Sequence, residues 1–306
     1  MAGRGDVHVR EATKEDVPAL IDLTARRTPH YERWWVSTVF EGNVEVHAAP
    51  MLFEAGTFVG YGTATHRSGA PEHQRTVQVF VDRAASGRGL GSDLLARCLA
   101  ALPDSTTEAW TKVHDDDPES LAVAQHWGYE VMQRSISSRV DLAGATPPQP
   151  PLGVTLEDCD GLEFDGADAV AFDAMLTASQ TNPEAETSHV LTREEMQHWT
   201  DPGETPVACL ARVDGRPAAL AFAIVLRSTG EGGVAYTGVD PAYRGSGLGR
   251  LVKEQLHARA AQLGIAWLGT ENEEHNAGIR HVNQQLGYVK THGVYRMRRV
   301  LRGGWG

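Results

Sequence analysis

Val239-Asp240-Pro241-Ala242-Tyr243-Arg244-Gly245-Ser246-Gly247-Leu248-Gly249-Arg250 is the stretch on which the fold turns. An apolar run, 233–239, enters it, and an apolar-periodic run, 250–263, leaves it, so the glycines sit between a strand and a helix. Glycine reaches left-handed backbone freely and lets a ligand come close. A helix N-terminus offers amides without intrahelical partners and a partial positive charge, which suits a pyrophosphate. Arg244 and Arg250 add charge. No Gly-Lys-Ser/Thr follows, which excludes a P-loop. The third glycine and the ribose-binding acid of a dinucleotide fingerprint are missing too. A single Gly-x-Gly would read as a bare tight connection with no ligand; its place between strand and helix, and its recurrence, favour the ligand.

The stretch occurs twice. Val81-Asp82 and Gly89-Leu90-Gly91 return 158 positions later as Val239-Asp240 and Gly247-Leu248-Gly249. Trp127-Gly128-Tyr129 returns as Leu286-Gly287-Tyr288, and Glu54-Ala55-Gly56 as Val213-Asp214-Gly215, both 159 positions on. Matched landmarks at a nearly constant offset mean two copies of one domain.

Each copy reads alike: a strand, an amphipathic helix, a hairpin turning at Ala55-Gly56 or Asp214-Gly215, and a further strand into the glycine loop. A helix, a strand near 108–113 or 266–270, a second helix ending at Gly128 or Gly287, and a closing strand follow. This is a mixed α/β domain, duplicated. Ala143-Gly144-Ala145-Thr146-Pro147-Pro148-Gln149-Pro150-Pro151 reads as a semi-rigid spacer. The expected division is a first domain at 1–143, a linker at 144–151 and a second domain at 152–306.

At these residues the chain resembles a family. Arg/Gln-x-x-Gly-x-Gly/Ala after a strand is the acyl-CoA pyrophosphate loop of the GNAT N-acetyltransferase superfamily, and 244–249 fits it in full. Thr270-Glu271-Asn272-Glu273-Glu274-His275-Asn276, Val282-Asn283 and Leu286-Gly287-Tyr288 resemble its second signature. The resemblance covers essentially the whole chain as a tandem GNAT, with a layout similar to that of the mycothiol synthases. It implies two GNAT-like domains, each a mixed, mostly antiparallel twisted sheet flanked by helices. The first copy departs from the pattern, with Ser86 at the Arg/Gln position, Asp117 at that of Asn276 and Ala124 at that of Asn283. It reads as a degenerate copy, and the second as the catalytic one.

The resemblance further implies acyl transfer from acetyl-CoA, or another acyl-CoA, to a primary amine of a small molecule, by direct attack on the thioester. Gly238 or Val239 would supply the amide that polarises the carbonyl. Arg244, Gly245, Ser246, Gly247, Leu248, Gly249 and Arg250 would hold the pyrophosphate, and Asn276 the pantetheine arm. Glu231, Glu271 and His275 are the candidate bases. Glu271, Glu273 and Glu274 read equally as a solvated loop ahead of a helix. Family members often carry Tyr where this chain has Asn283, so Tyr295 or Tyr236 is the substitute proton donor. Trp34, Trp35, Tyr31 and Trp199 lie in segments that border the acceptor site in such folds, or are simply core. Two other readings keep the fold: a donor pantetheine on an acyl carrier protein, or a non-catalytic acyl-CoA sensor.

Composition bounds the rest. Lys and Arg number 28 against 40 Asp and Glu, a net charge of −12 that argues against nucleic-acid binding. No stretch approaches the roughly 20 apolar residues of a membrane helix, and the first residues hold no apolar signal core. Cys98, Cys159 and Cys209 are spaced for neither a disulfide framework nor zinc. The expectation is a cytoplasmic enzyme without a metal.

Overall fold

The computed structural model describes residues 7–28, 36, 39–40, 44–67, 70–180, 190–198, 200 and 203–301. Its elements, in chain order, are β1 (Val7–Glu11), α1 (Val17–Arg27), β2 (Val44–Ala48), β3 (Pro50–Glu54), β4 (Thr57–Arg67), β5 (Gln74–Val81), α2 (Leu90–Ala100), β6 (Glu108–His114), α3 (Pro118–His126) and β7 (Glu130–Asp141). Then follow β8 (Val154–Asp158), α4 (Gly166–Ser179), α5 (Arg193–Gln197), β9 (Glu204–Val213), β10 (Arg216–Leu226), β11 (Glu231–Val239), α6 (Leu248–Gln262), β12 (Trp267–Glu273), α7 (Ala277–Gln285) and β13 (Val289–Val300). Among the described residues, no helix is long and apolar enough to cross a membrane.

The chain forms two compact units: 1–135 with 292–306, and 136–291. This division differs from a cut at the Pro-rich stretch, because it falls within β7 and β13. The last strand of the chain supplies the first unit, where 294–300 pair antiparallel with β6. Residues from Ile136 onward in β7 belong to the second unit, beside β12. The Pro-rich stretch lies inside the second unit.

Within the first unit the strand order is β1-β3-β4-β5-β6-β13, with β2 also on β4. In the second it is β8-β9-β10-β11-β12, followed by the later part of β7. Every described pairing within a half is antiparallel except β5 with β6 and β11 with β12. Both hairpins turn where the repeat placed them. Ala55 and Gly56 (φ 49° and 80°) match Asp214 and Gly215 (φ 47° and 80°), two consecutive positive-φ residues as a type I′ turn requires.

The second unit is a sheet between helices, and β10 shows why. Residues 218–223 are fully buried, so both faces of the strand are covered. Its small odd residues, Ala219, Ala221 and Ala223, join a core with Val252, Leu256 and Ala260 of α6. Its larger even ones, Leu220 and Phe222, pack with Phe172, Met175 and Leu176 of α4. In the first unit α2 lays Leu94 against Leu52 and Val59, and α1 lays Leu20 and Leu23 against Met51 and Tyr61.

The glycine-led helix α6 begins two residues earlier than the apolar-periodic run 250–263 predicts. Gly89 and Gly247 are themselves the N-caps, at φ 82° and 86°. Where the parallel pair β11–β12 is joined, space is tight: a Cβ on Gly232 would lie 2.6 Å from Val225 Cγ1 and 2.8 Å from the Ile224 carbonyl oxygen. A carbonyl in a ladder cannot yield easily. Gly232→Ala therefore lowers stability by about 1–3 kcal/mol, read as a reduced urea midpoint; an unchanged midpoint contradicts the tight joint.

Candidate active site

β11 and β12 run side by side for only three residue pairs, Glu231–Trp267, Gly232–Leu268 and Gly233–Gly269. Beyond Gly233 and Gly269 they part. The parting coincides with an extra residue in β11. The register against β10 runs Ile224–Gly233 and Ala223–Val234, then resumes at Phe222–Tyr236, leaving Ala235 as a bulge. A bulge bends its strand and deepens the local twist. Its mark is exposure: Ala235 is open to solvent in the middle of an interior strand. A groove with a strand backbone for its wall starts here, and β11 leads from it into the glycine loop.

The loop is built by its own residues. Asp240 accepts from the Ala242 amide at 2.8 Å, starting a single 3-10 turn, 241–243. Ser246 Oγ donates to the Tyr243 carbonyl at 2.5 Å. Gly245 and Gly247 are left-handed, at φ 79° and 86°, and a Cβ on either would meet no atom within 4 Å. Their freedom serves backbone shape and open space in front of the first turn of α6, whose amides lack intrahelical acceptors. Gly249 serves packing, since its Cβ would lie 3.2 Å from Val239 Cγ2. Arg244 ties the loop to its surroundings: Nε donates to the Val239 carbonyl at 3.3 Å and Nη2 to the Ser179 carbonyl at 3.2 Å. Arg250 pairs with Glu254 one turn on, at 2.8 Å.

Gly238 is glycine for a different reason: the hydroxyl end of Tyr236 occupies the space a Cβ would take. Ser179 Oγ gives its one hydrogen to the Leu176 carbonyl at 2.8 Å. The Tyr236 hydroxyl, 2.5 Å away, is therefore the donor to Ser179. Burial raises the Tyr236 pKa, partly offset by Ser179 and Arg244.

The other residues singled out in the sequence are spread out. Glu231 sits where β11 and β12 are still joined, eight residues or about 26 Å of strand from Val239. Glu271 lies exposed on the parted end of β12. His275 pairs with Glu273 at 2.9 Å. Asn276 is the N-cap of α7, accepting from the Ile279 amide at 3.4 Å. Tyr295 belongs to the first unit, opposite Val113 and with the Arg134 guanidinium 5.7 Å over its ring. Tyr31, Trp34, Trp35 and Trp199 lie outside the described residues. Among the described residues, no group of His, Cys, Asp or Glu is arranged to hold a metal.

The first unit repeats the loop and the short parallel pairing, with β5 beside β6 only from Gln74–Glu108 to Thr76–Trp110, but not the bulge. Gly87 and Gly89 are left-handed, at φ 75° and 82°, and Asp82 accepts from Ala84 at 3.0 Å. The register of β4 against β5 is unbroken, with no bulge. Arg27, at the end of the helix packed on β5, donates to Ser120 Oγ at 2.9 Å and lies 3.4 Å from Asp117, which follows β6. This bridge ties elements on either side of the parting strands. Trp127 lies over Gly91 and donates to Ser92 Oγ at 3.1 Å, so the first turn of α2 is covered.

One cluster escaped the sequence reading. Lys253 of α6 is fully buried; its Nζ donates to Asn283 Oδ1 at 2.5 Å and lies 4.4 Å from the Tyr288 ring centroid. Asn283 Nδ2 donates to Asn272 Oδ1 at 2.6 Å, and His257 is 2.9 Å from the Tyr288 hydroxyl. Burial holds Lys253 down at about 7. Burial, and then the Lys253 charge, hold His257 at about 4. The signal was present: Lys253 and His257 are four apart, flanking the buried stripe Leu248, Val252, Leu256.

A twisted sheet with one parted parallel pair, a bulge and a glycine loop on a helix N-terminus defines a class of acyltransferase fold. The sequence profile of the Acetyltransferase (GNAT) family matches residues 11–129 and again 172–288. The chain belongs to that family and is an N-acetyltransferase of the GNAT type. It is 30% identical over 250 residues to the mycothiol acetyltransferase of Nocardia farcinica, covering 78% of each chain. It is 29% identical over 248 residues to that of Rhodococcus opacus, again 78% of each. Its fold matches a tandem GNAT protein from the clavulanic acid biosynthesis pathway with a TM-score of 0.77 at 18% identity, over 98% of this chain and 100% of that one. A GCN5-related N-acetyltransferase from Sphaerobacter thermophilus matches at 0.74 and 16% identity, over 98% and 97%.

The buried cluster sets a pH dependence of stability. Between about 4 and 6.5 the unfolded His257, and between about 7 and 10.5 the unfolded Lys253, holds a proton that the folded chain lacks. Unfolding free energy therefore rises with pH in both windows, by at most about 1.4 kcal/mol per pH unit. Denaturation from pH 7 to 9 should show the upper rise, and Lys253→Met should flatten it; a wild-type stability that falls over this range contradicts the assignment.

Proposed function

We propose that the second unit transfers an acetyl group from acetyl-CoA to a primary amine of a small molecule. The observation that carries this is the bulge at Ala235 next to the parted ends of β11 and β12, with the glycine loop at the far end of the same strand. Pantetheine would lie along β11 like an added strand, and its pyrophosphate would meet the amides at the start of α6. The open space over Gly245 and Gly247 fits such a ligand. A surface depression of about 460 Å³ lined by Glu157, Asp158, Asp160, Glu163 and Asp168 around Arg212 is a poor rival, since its carboxylates outnumber and already pair that arginine.

In this reading the amine nitrogen attacks the thioester carbonyl and the thiolate leaves. Backbone amides of β11 near Gly238 and Val239 would stabilise the oxyanion, such donors being worth about 2.7–4 kcal/mol. Glu271, on the parted end of β12, is better placed than Glu231 to take the proton of the amine. Asn276 would hold the pantetheine arm while capping α7, and Leu248 would lend its amide to the pyrophosphate. The first unit would support the second without binding acyl-CoA, because β5 carries no bulge against β4 and Arg27 bridges the ends of its parting strands. The relatives are named for mycothiol, so an amine whose acetylation gives a thiol of that kind is the first acceptor to try.

Calorimetric titration with acetyl-CoA should give one site per chain. Gly247→Val, which forces a side chain into positive φ and into the open space, should weaken binding at least about 100-fold, while Gly89→Val should leave it unchanged. Two sites per chain would contradict the division of labour, and no binding would contradict the acyl-CoA reading itself.

A further inference from the structure

Gly238 lies on the parted length of β11, and what stands over it is another residue's side chain. Asp240 donates its amide to the Ala218 carbonyl at 2.9 Å. Backbone groups along a strand point alternately to its two sides, so Gly238 also faces β10, and Val239 turns its amide and carbonyl to the parted edge. The Val239 carbonyl accepts from Arg244 there. An acyl carbonyl held by the Val239 amide would lie beside Gly238, with a wall on each face of the sheet. On the α6 face the wall is Val239 itself, packed on the core of β10 and α6, with Gly249 close against it.

On the α4 face the wall is the end of Tyr236. A Cβ at Gly238 would run into the Tyr236 hydroxyl, and would lie 2.6 Å from its Cζ and 2.7 Å from Ser179 Oγ. This wall is fixed. Tyr236 donates to Ser179, Ser179 donates to the Leu176 carbonyl, and Arg244 holds the Ser179 carbonyl at 3.2 Å. With its hydrogen committed to Ser179, Tyr236 bounds space rather than supplying a proton. The first unit shows what this position decides. Phe80 stands where Gly238 does, 158 residues earlier, and Gln78 where Tyr236 does. The Phe80 ring stacks on Tyr61 at 5.1 Å, on the face covered by α1. There a ring takes the room outright; in the second unit a glycine opens it and a tyrosine hydroxyl closes part of it again.

We propose that Tyr236, locked by Ser179, sets the length of the acyl group: the groove admits acetyl and excludes longer straight-chain acyl groups. This rests on the acyl-CoA reading above. Between Val239 on one face and Tyr236 on the other, only the plane of the sheet is left, and there the pantetheine arm runs. A methyl group fits beside the bare Cα of Gly238. A longer chain has to push on a side chain anchored by its strand at one end and by α4 at the other, and packed side chains yield to added methylenes only at a cost.

The test is calorimetric titration of the full chain with acetyl-CoA and with butyryl-CoA. The wild type is expected to bind butyryl-CoA at least about 10-fold more weakly, the scale of forcing methylenes into filled space. Tyr236→Ala should bring the two ligands to within about threefold of each other, and Tyr236→Phe should narrow the gap by about threefold or more. Phenylalanine keeps the ring packed on the α4 side and loses only the hydroxyl and its hold on Ser179, so Y236F serves even where Y236A fails to fold. Equal binding of the two ligands by the wild type, or a gap undiminished in Y236F, overturns the proposal and leaves the acyl-CoA reading standing. Absence of binding of either ligand to the wild type overturns both.

Discussion

The parting of β11 from β12 after three residue pairs is the constraint on which the second unit depends. In an unbroken ladder every backbone amide of an interior strand is spent on its neighbour. Here β11 leaves β12 after Gly233–Gly269 and carries an extra residue at Ala235, so from that point its ladder to β12 ends. The loop stands where it does because β11 delivers it there. The helix that follows is held against the sheet by the alanine face of β10 and by the lack of a Cβ at Gly249. Even the glycine at 238 follows from this geometry, since it clears room for Tyr236 to lie back along its own strand toward Ser179.

Comparison of the two copies separates what folds the domain from what the proposed chemistry needs. Both loops keep the same left-handed glycines, an aspartate cap and a helix started by glycine. Those features are demanded by a strand that must turn sharply into a helix packed on its own sheet, ligand or not. The copies diverge in what the turn does not require. One has a bulge and an exposed Ala235; the other has an unbroken register, an arginine bridge at the strand ends and a tryptophan over the helix start. The glycine pattern is therefore a mark of the fold, and evidence for a ligand has to come from the bulge and the bridge.

This explains which parts were legible in the sequence. The duplication, both hairpin turns, the glycine-led helices and the mixed α/β sheet could be read because each is fixed by local chemistry: Asp214-Gly215 allows few other turns, and Gly247 few other caps. The start of α6 lies two residues ahead of the apolar run because apolar periodicity cannot see a glycine cap. The exchange of strands was not legible. The closing segments 130–141 and 289–300 alternate in the same way whichever neighbour they pair with, so sequence order alone puts Tyr295 in the second domain, while it lies in the first unit. The bulge was hidden too, since Ala235 differs from its neighbours only in what it fails to pair with.

The buried cluster shows a further limit and its cause. A lysine within a helix is ordinarily read as its solvated face, and Lys253 departs from that only because α7 closes over it. Its energetic account runs against stability: burial disfavours the charge, no anion among the described residues offsets it, and the pairing with Asn283 is one neutral acceptor against a desolvation cost of several kcal/mol. An apolar residue of the same size would fill the space beside Asn283 and Tyr288 without that cost, so packing does not account for the lysine.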